Sequence, residues 1–232
     1  RWMEYYRDQL FFDGLARMLS LAVFRLPLVD LERTSAALLA RHAALVVFSL
    51  EFMDRDVQAR LLEYVRQGGR LILYPTIPTT DLAFQPEPLL IEGLGIHHLQ
   101  SIPGHLVSLD PAREVFVEGM LWAIQAAKAK TLARTPEGKS CAILKRVGRG
   151  QLLVLGFGLT HRFDYQVELI RHLMAGLGVK AKLDVRPWDV PVFVRTSANG
   201  TFVFACNPHE EARHVTVRVQ LVKGWSRIPP RG

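Results

Sequence analysis

The most constraining feature of this sequence is a strand, a helix, a glycine turn and a second strand that follow one another within residues 44–74. Residues 44–50 form a continuous apolar run of strand length, which is typical of a strand buried on both faces of a parallel sheet. The following helix is predicted to begin at Asp54, whose carboxylate can accept from first-turn amides, and to end at Gly68-Gly69. The strand 71–74 comes directly afterwards. This βαβ pattern predicts a parallel sheet with a right-handed crossover.

The rest of the chain predicts a second, smaller domain. Residues 151–156 predict another buried strand, and a helix is expected from about Asp164 to residue 177. After Gly178 the pattern changes to β-strands, with a hairpin turn at Asn199-Gly200. We therefore predict an α/β domain over residues 1–180 and a small antiparallel β-domain over residues 181–232. The last five residues are expected to fray or to be a cut end.

Composition excludes several classes of protein. The 232 residues are 49% hydrophobic and 22% charged, which are globular values that exclude wholesale disorder. No apolar run reaches the roughly 20 residues needed to cross a bilayer, so no membrane partner is expected. Two cysteines indicate a reducing compartment, and we expect a cytoplasmic protein. Because the chain begins at Arg1 without a methionine, we expect it to be a segment of a longer protein.

The formal net charge of +7 is concentrated in one stretch. Between residues 128 and 149 the chain carries seven basic residues and a single acid, Glu137. The basic residues are Lys128, Lys130, Arg134, Lys139, Lys145, Arg146 and Arg149. Nucleic-acid surfaces usually alternate such cations with stacking aromatics, which this stretch lacks. A solvated strand face or contact with an acidic neighbouring domain is therefore favoured over nucleic-acid binding.

Individual residues give little sign of catalysis. Cys141 and Cys206 lie in apolar strand patterns and are interpreted as buried, whereas a reactive thiolate needs partial exposure near a cation or helix start. The eight histidines lack metal-site spacing, so neither a metal nor a cofactor is predicted. Gly156-Phe157-Gly158 lacks the third glycine of a dinucleotide fingerprint. Nothing in the sequence brings Glu51 and Asp81 together as a glycosidase pair.

Three stretches carry a resemblance to a known family. They are DRDVQARLLEYVRQGGRLILYPTIPTTD at residues 54–81, VGRGQLLVLGFGLTHRFDYQVELIRHLMAGLGV at 147–179, and VPVFVRTSANGTFVFACNPHEEARHVTVRV at 190–219. In order and spacing they resemble the region after the catalytic barrel in bacterial β-galactosidases of glycoside hydrolase families 42 and 35. The resemblance implies a flavodoxin-like, class I glutamine amidotransferase-like fold, with a mostly parallel sheet and helices on both faces, followed by a small β-domain.

The amidotransferase comparison implies degenerate catalytic positions. Active members carry a cysteine on a sharp turn after the second strand, where this chain has Thr76. They also carry a His-x-Glu sequence, where this chain has His161 but Phe163 two residues later. A base without its nucleophile and orienting acid cannot support acyl transfer, so no catalytic residue is predicted.

The resemblance implies an accessory function. The chain has no eight-fold βα pattern, so the catalytic barrel would lie elsewhere in the parent β-galactosidase. The implied partners are that barrel and further copies of the chain, with a trimer as one option. Two alternatives stay open: a self-sufficient enzyme of the amidotransferase or DJ-1 type using Cys141 or another nucleophile, and a nucleic-acid-binding module acting through residues 128–149.

Overall fold

A computed structural model describes residues 2–22, 24, 27–109, 113–163, 165–181, 183–198, 200–221 and 224–227. Asp164, Asn199 and the C-terminal tail, for which the sequence makes predictions, lie outside these residues. The chain divides into two compact units. The first unit comprises Arg1–Phe11 and Val29–Leu159, and the second comprises Phe12–Leu28 and Thr160–Gly232. Helix α1 (Trp2–Leu21) contributes residues to both units. The predicted domains 1–180 and 181–232 stay a prediction.

The first unit is built around a seven-stranded sheet. In chain order its elements are α2 (Ala36–Leu39), β1 (Leu45–Ser49), α3 (Arg55–Arg66), β2 (Arg70–Pro75), α4 (Leu89–Gly93), β3 (Ile96–Pro103), β4 (Leu106–Leu109), β5 (Arg113–Phe116), β6 (Met120–Ala126), β7 (Lys130–Arg134), β8 (Ser140–Val147) and β9 (Gly150–Leu155). The large sheet has the order β1-β2-β9-β8-β7-β4-β5, and β3 pairs separately with β6.

The predicted βαβ unit is present as β1, α3 and β2. Strands β1 and β2 are parallel, with Leu45 opposite Leu71. Asp54 is the N-cap residue of α3, but its side chain makes no capping hydrogen bond, unlike the prediction. The helix ends before Gly68, whose φ of 120° requires the conformational freedom of glycine. Local sequence signals therefore located this unit correctly.

The predicted flavodoxin-like fold, with a mostly parallel sheet and helices on both faces, is wrong. Only two of the six pairings in the large sheet, β1–β2 and β2–β9, are parallel, and the other four are antiparallel. These strands are antiparallel because the segments that connect them are short. Residues 135–139 join β7 to β8, and Gly148-Arg149 join β8 to β9, whereas a parallel pair needs a crossover of about a dozen residues or more. Hairpins therefore replace crossover helices in this half of the unit.

One face of the large sheet packs on α3, α4 and the β3–β6 pair. Alternate residues of the central strands point to this face and are almost fully buried, for example Leu71 and Leu73 on β2. They meet Leu61 from α3 and Leu90 from α4. Strand β2 is buried at every position after Arg70, so its two faces are both covered. This explains its unbroken apolar sequence.

The second unit has its own small core. Its elements after α1 are α5 (Tyr165–Gly176), β10 (Leu183–Arg186), β11 (Val192–Ser197), β12 (Gly200–Ala205), β13 (Thr216–Leu221) and β14 (Gly224–Arg227). Strands β10, β13 and β14 form one antiparallel sheet, and β11 and β12 form the predicted hairpin. Leu183, Val185, Val192 and Val217 cluster between them. Arg171 links α5 to β10 through Asp184 at 3.3 Å.

Candidate functional site

Thr76, for which the amidotransferase comparison predicted a degenerate catalytic position, follows β2 and is buried. Its backbone carbonyl accepts a hydrogen bond from the Ser49 hydroxyl at the end of β1. Its own side chain is 4% exposed, and its hydroxyl has no hydrogen-bond partner among the described residues. A nucleophile must be activated by a base and must be reachable by substrate. Thr76 meets neither condition among the described residues. It packs between the ends of the parallel strands β1 and β2.

The other two residues of that prediction, His161 and Phe163, lie in the second unit. His161 has a φ of 57°, and Phe163 is 40% exposed. The Phe163 ring stacks on Tyr165, with 5.2 Å between centroids. The side chain of Phe163 thus makes an aromatic stacking contact, and a phenyl ring carries no charge with which to orient an imidazole.

A buried phenol lies next to Thr76 on β2. The Tyr74 hydroxyl donates to the carbonyl of Leu159 at 2.9 Å and accepts from the amide of the same residue at 2.7 Å. Burial raises the pKa of Tyr74 well above its usual value. This phenol is neutral and fully hydrogen-bonded, so it fastens the chain after β9 to β2 and has no spare proton-transfer capacity.

The two cysteines differ from each other. Cys141 on β8 is fully buried, and burial raises the pKa of its thiol to about 12, which makes it a poor nucleophile. Cys206 follows β12 and is exposed, so the prediction that it is buried is wrong. Its backbone amide donates to the carbonyl of Pro191. The strand pattern misplaced Cys206 because β12 is exposed at most of its positions, so an apolar strand pattern there does not imply burial.

Other chemical candidates are occupied by structural contacts. Asp81 accepts from the amides of Ala83 and Gln85, so its carboxylate stabilises its own turn. Gly156 approaches other strands so closely that a Cβ would lie 2.6 Å from the carbonyl oxygen of Trp122. Within the described ranges no group of three or more His, Cys, Asp or Glu side chains is arranged to hold a metal ion. No helix in that part of the chain is long and apolar enough to cross a membrane.

The structure divides the basic stretch between two ends of the sheet. Arg134 and Lys139 flank the turn between β7 and β8, where Arg134 donates to the carbonyl of Gly138 and Lys139 to the side chain of Gln100. The Lys145 ammonium donates to the carbonyl of Gly95 at 2.8 Å, and burial lowers the pKa of this amine. These three residues serve local contacts.

The remaining members of the stretch lie near two arginines that the sequence analysis missed. Strand register places Arg70, Gln151 and Arg146 side by side on β2, β9 and β8. The amide of Arg149 donates to the carbonyl of Arg66 at 3.0 Å. We call this surface the basic end. Its members are Arg66, Arg70, Lys128, Lys130, Arg146 and Arg149.

The basic end is not neutralised inside the first unit. Five of its six side chains are exposed, and Arg70 is half-buried. None of the six forms an ion pair with a carboxylate of the described residues. Arg66 and Arg70 were missed because they lie more than 70 residues from Arg146 in sequence. Strand register places Arg70 on this surface, and the backbone hydrogen bond from Arg149 places Arg66 there. This arrangement can bind anionic groups by charge alone.

Comparison with curated proteins finds relatives that act on sugars. The chain is 32% identical over 216 residues to a β-1,2-glucosyltransferase of Ignavibacterium album, covering 93% of this chain and 30% of the relative. It is 26% identical over 231 residues to an exo-β-D-glucosaminidase of Pyrococcus horikoshii, covering 94% of this chain and 29% of the relative. The chain thus spans about three tenths of the length of these relatives.

Comparison with solved structures shows the fold. The β-galactosidase of Bacillus circulans sp. alkalophilus matches with a TM-score of 0.67 and 18% identity over 96% of this chain and 36% of that one. A catalytic mutant of Gan42B, a GH42 β-galactosidase from G. stearothermophilus, matches with a TM-score of 0.71 and 18% identity over 95% of this chain and 34% of that one. Each match extends over at least 95% of this chain and therefore includes the mixed sheet. This agreement supports a mixed sheet and corrects the flavodoxin-like assignment.

A protein-family model decides the classification. The model described as "GLMA-like, second domain" matches residues 1–130, which is more than half of the chain. The matched residues include the βαβ unit and the strands up to the beginning of β7. The chain belongs to the GLMA-like second-domain family.

Proposed function

We propose that this chain is a non-catalytic accessory region of a longer enzyme that acts on glycosides. Two observations together support the proposal: the relatives of this chain act on sugars, and its candidate residues make structural contacts. Two relatives named for sugar chemistry match almost the whole chain, yet the chain spans only about three tenths of them. Among the described residues, Thr76 is buried and Phe163 stacks on Tyr165, so neither offers a reacting group to a substrate. The role of the chain in this proposal is therefore structural.

The substrate of the parent enzyme is a β-linked sugar in this proposal. The fold likeness favours a β-galactosidase-type parent, as in glycoside hydrolase family 42, whereas the curated relatives favour a glucosyl or glucosaminyl group. A cytoplasmic location is part of the same proposal and rests on the small number of cysteines.

The proposed partners are a catalytic barrel of the same parent chain and further copies of this region, with a trimer as one option. An accessory domain that buries surface against its neighbours can position a catalytic site without contributing reacting groups to it. The exposed and unneutralised basic end supports a role in contact with other surfaces.

The test is an activity assay on the 232-residue chain alone. Nitrophenyl β-galactoside, β-glucoside and β-glucosaminide, and glutamine, are each offered as substrate. We expect no turnover above the buffer rate. Turnover that disappears in Cys206→Ser or Thr76→Val would contradict the proposal and favour a self-sufficient enzyme. Thr76→Val keeps the branched shape of the side chain and removes the hydroxyl, so it tests that group specifically.

A further inference from the structure

The loops at the other end of β1 and β2 carry the opposite charge to the basic end. We call this surface the acidic end, and its carboxylates are Glu51, Asp54, Asp56, Asp81 and Glu87. Backbone hydrogen bonds hold its loops together, because the amides of Thr79 and Thr80 donate to the carbonyl of Glu51. Arg55 is the basic residue among them and pairs with Glu87 at 2.8 Å. The surface therefore keeps a clear excess of negative charge.

The two charged ends lie at opposite ends of the same elements. Helix α3 begins with Arg55 beside the acidic end and ends with Arg66 in the basic end. Its 12 residues span roughly 18 Å at the α-helical rise. Strand β2 runs back in parallel to β1, from Arg70 at the basic end to Pro75 near the acidic end. The first unit therefore has a charge dipole along α3.

The helix dipole explains only a small part of this arrangement. A carboxylate in the first turn and a cation in the last turn are each stabilised, which accounts for Asp56 and Arg66. That effect falls off within one turn. Lys130 begins β7 and Glu51 follows β1, so neither belongs to the first or last turn of α3, and the dipole of this helix does not account for them.

The hairpin that carries the basic end is held rigidly. A Cβ on Gly150 would lie 2.1 Å from the carbonyl oxygen of Val65, and one on Gly148 would lie 2.6 Å from that of Arg66. Backbone of β8–β9 therefore packs directly on the last turn of α3. The cations on both elements keep a fixed spacing, which is what charge recognition of a fixed surface requires.

We propose that the basic end of one copy binds the acidic end of a second copy of this chain, head to tail. The inference rests on the proposed function, since it names the surfaces through which this accessory region associates with itself. A contact between two different surfaces of one chain repeats from copy to copy and closes into a ring when the rotation allows it. In such an assembly the cations of each basic end pair with the carboxylates of a neighbouring acidic end.

Charge complementarity favours a second copy over a nucleic acid. The chain itself supplies the anionic surface, with carboxylates on loops that are fixed to β1 and β2. The segments that carry the basic end, residues 66–70, 128–130 and 146–149, contain no aromatic residue on which a base would stack. Nucleic-acid binding is therefore an outcome that the experiment must be able to detect.

The experiment is sedimentation velocity of the whole 232-residue chain at ~20 mM and ~500 mM NaCl, which shortens the Debye length to a few ångströms. One variant carries Arg146→Glu and Arg149→Glu, and a second carries Glu51→Lys and Asp56→Lys. All four side chains are exposed, so the fold should survive, and circular dichroism checks it. A matched control carries Lys180→Glu and Arg195→Glu, which reverse two exposed charges of the second unit.

The expected result is association at low salt that is lost at high salt. Each double variant should raise the dissociation constant by roughly tenfold, whereas the control should not. Mixing the two double variants should restore part of the association, because the two introduced carboxylates of one variant can then pair with the two introduced ammonium groups of the other. Should a variant fail to fold, Lys128→Glu with Lys130→Glu replaces the first and Glu51→Lys alone replaces the second.

Three results would overturn the proposal. The first is a monomer at low salt, and the second is association that survives both salt and the charge reversals. The third is a fluorescent oligonucleotide that binds the basic end with a steep salt dependence while the copies do not associate. None of these outcomes depends on turnover, so a monomer without glycosidase activity would remove a second copy as a partner and leave the non-catalytic accessory role intact. Turnover by an associating chain would overturn only the proposed function.

Discussion

Strand β2 in the first unit and the β11–β12 hairpin in the second unit are both rich in apolar residues, but they use them differently. Strand β2 is buried at every position after Arg70. In the hairpin, Val192 is 3% exposed, whereas its neighbour Phe193 is 53% exposed. Apolar residues stabilise a fold only in proportion to the surface removed from water. The difference predicts that the first unit tolerates substitution far less well than the outer face of the hairpin.

The outer face of the hairpin is a patch of phenylalanines. Phe193 lies directly opposite Phe204, and Arg195 lies opposite Phe202, so these four side chains share one face. The three rings are 51–54% exposed. The inner face carries Val192, which belongs to the small core, and Val194 and Val203, which pack against it. Within this unit, stability comes from the valines and not from the larger rings.

The largest effect is expected where backbones touch in the first unit. In Gly150→Ala the new Cβ would lie 2.1 Å from the carbonyl oxygen of Val65 and 2.3 Å from that of Gly69. Neither backbone atom can move without disrupting the β8–β9 hairpin or the end of α3. We expect a loss of about 3 kcal/mol or more in the free energy of unfolding, measured by urea denaturation.

Gly176→Ala is the matched control for this substitution. Gly176 is the last residue of α5, and a Cβ added there would have no other atom within 4 Å. The same chemical change should leave stability unchanged or raise it by up to about 1 kcal/mol. Equal losses in both variants would show that the close approach at Gly150 has no energetic consequence.

The next effect concerns the hydroxyl of Tyr74. Tyr74→Phe removes one donor and one acceptor and leaves the buried amide and carbonyl of Leu159 without them. We expect a loss of about 1–3 kcal/mol at neutral pH, measured by thermal or urea unfolding. A change below about 0.5 kcal/mol would mean that other groups satisfy Leu159 as well.

The βαβ unit was predictable because its signals are local. A continuous apolar run, a helix of regular period and Gly68-Gly69 fix β1, α3 and β2 without any knowledge of distant residues. The antiparallel half was missed, although Gly148-Arg149-Gly150 stands between two apolar runs. A two-residue turn in such a place indicates a hairpin. The sequence therefore held a usable signal for the correction.

The candidate surface was only half predictable. The basic stretch near Arg146 and Arg149 is visible as a run of cations, whereas Arg66 and Arg70 join it through strand register and helix packing. Thr76 was identified from its place after a strand, but its burial depends on side chains from other elements. Contacts of this kind are set by tertiary packing, which no local pattern encodes.

The buried cysteine is expected to make the stability of the fold depend on alkaline pH, whereas the exposed one is not. Burial raises the pKa of Cys141 from 9.0 to about 12, so the folded state holds a proton that the unfolded state releases. The stabilisation is complete below pH 9 and is lost as the pH rises towards 12. Cys141→Ala should flatten this decline in unfolding free energy between pH 9 and 12.

Thiol labelling checks the same difference at neutral pH. In the native chain, a thiol reagent should modify Cys206 at once and Cys141 only when the chain unfolds. In Cys206→Ser the fast phase should disappear. A fast phase that persists in this variant would place the Cys141 thiol at the surface and would remove the physical basis for the alkaline effect.

The smallest effect separates the two faces of the β11–β12 hairpin. Val192→Ala removes buried methyl groups from the small core and should cost about 1–2 kcal/mol, whereas Phe193→Ala, a larger deletion on the next residue, should cost less than about 0.5 kcal/mol. Urea unfolding monitored by circular dichroism measures both. If Phe193→Ala costs as much as Val192→Ala, the phenylalanine face is covered in solution. A dependence of that cost on protein concentration would then show that a second copy provides the cover.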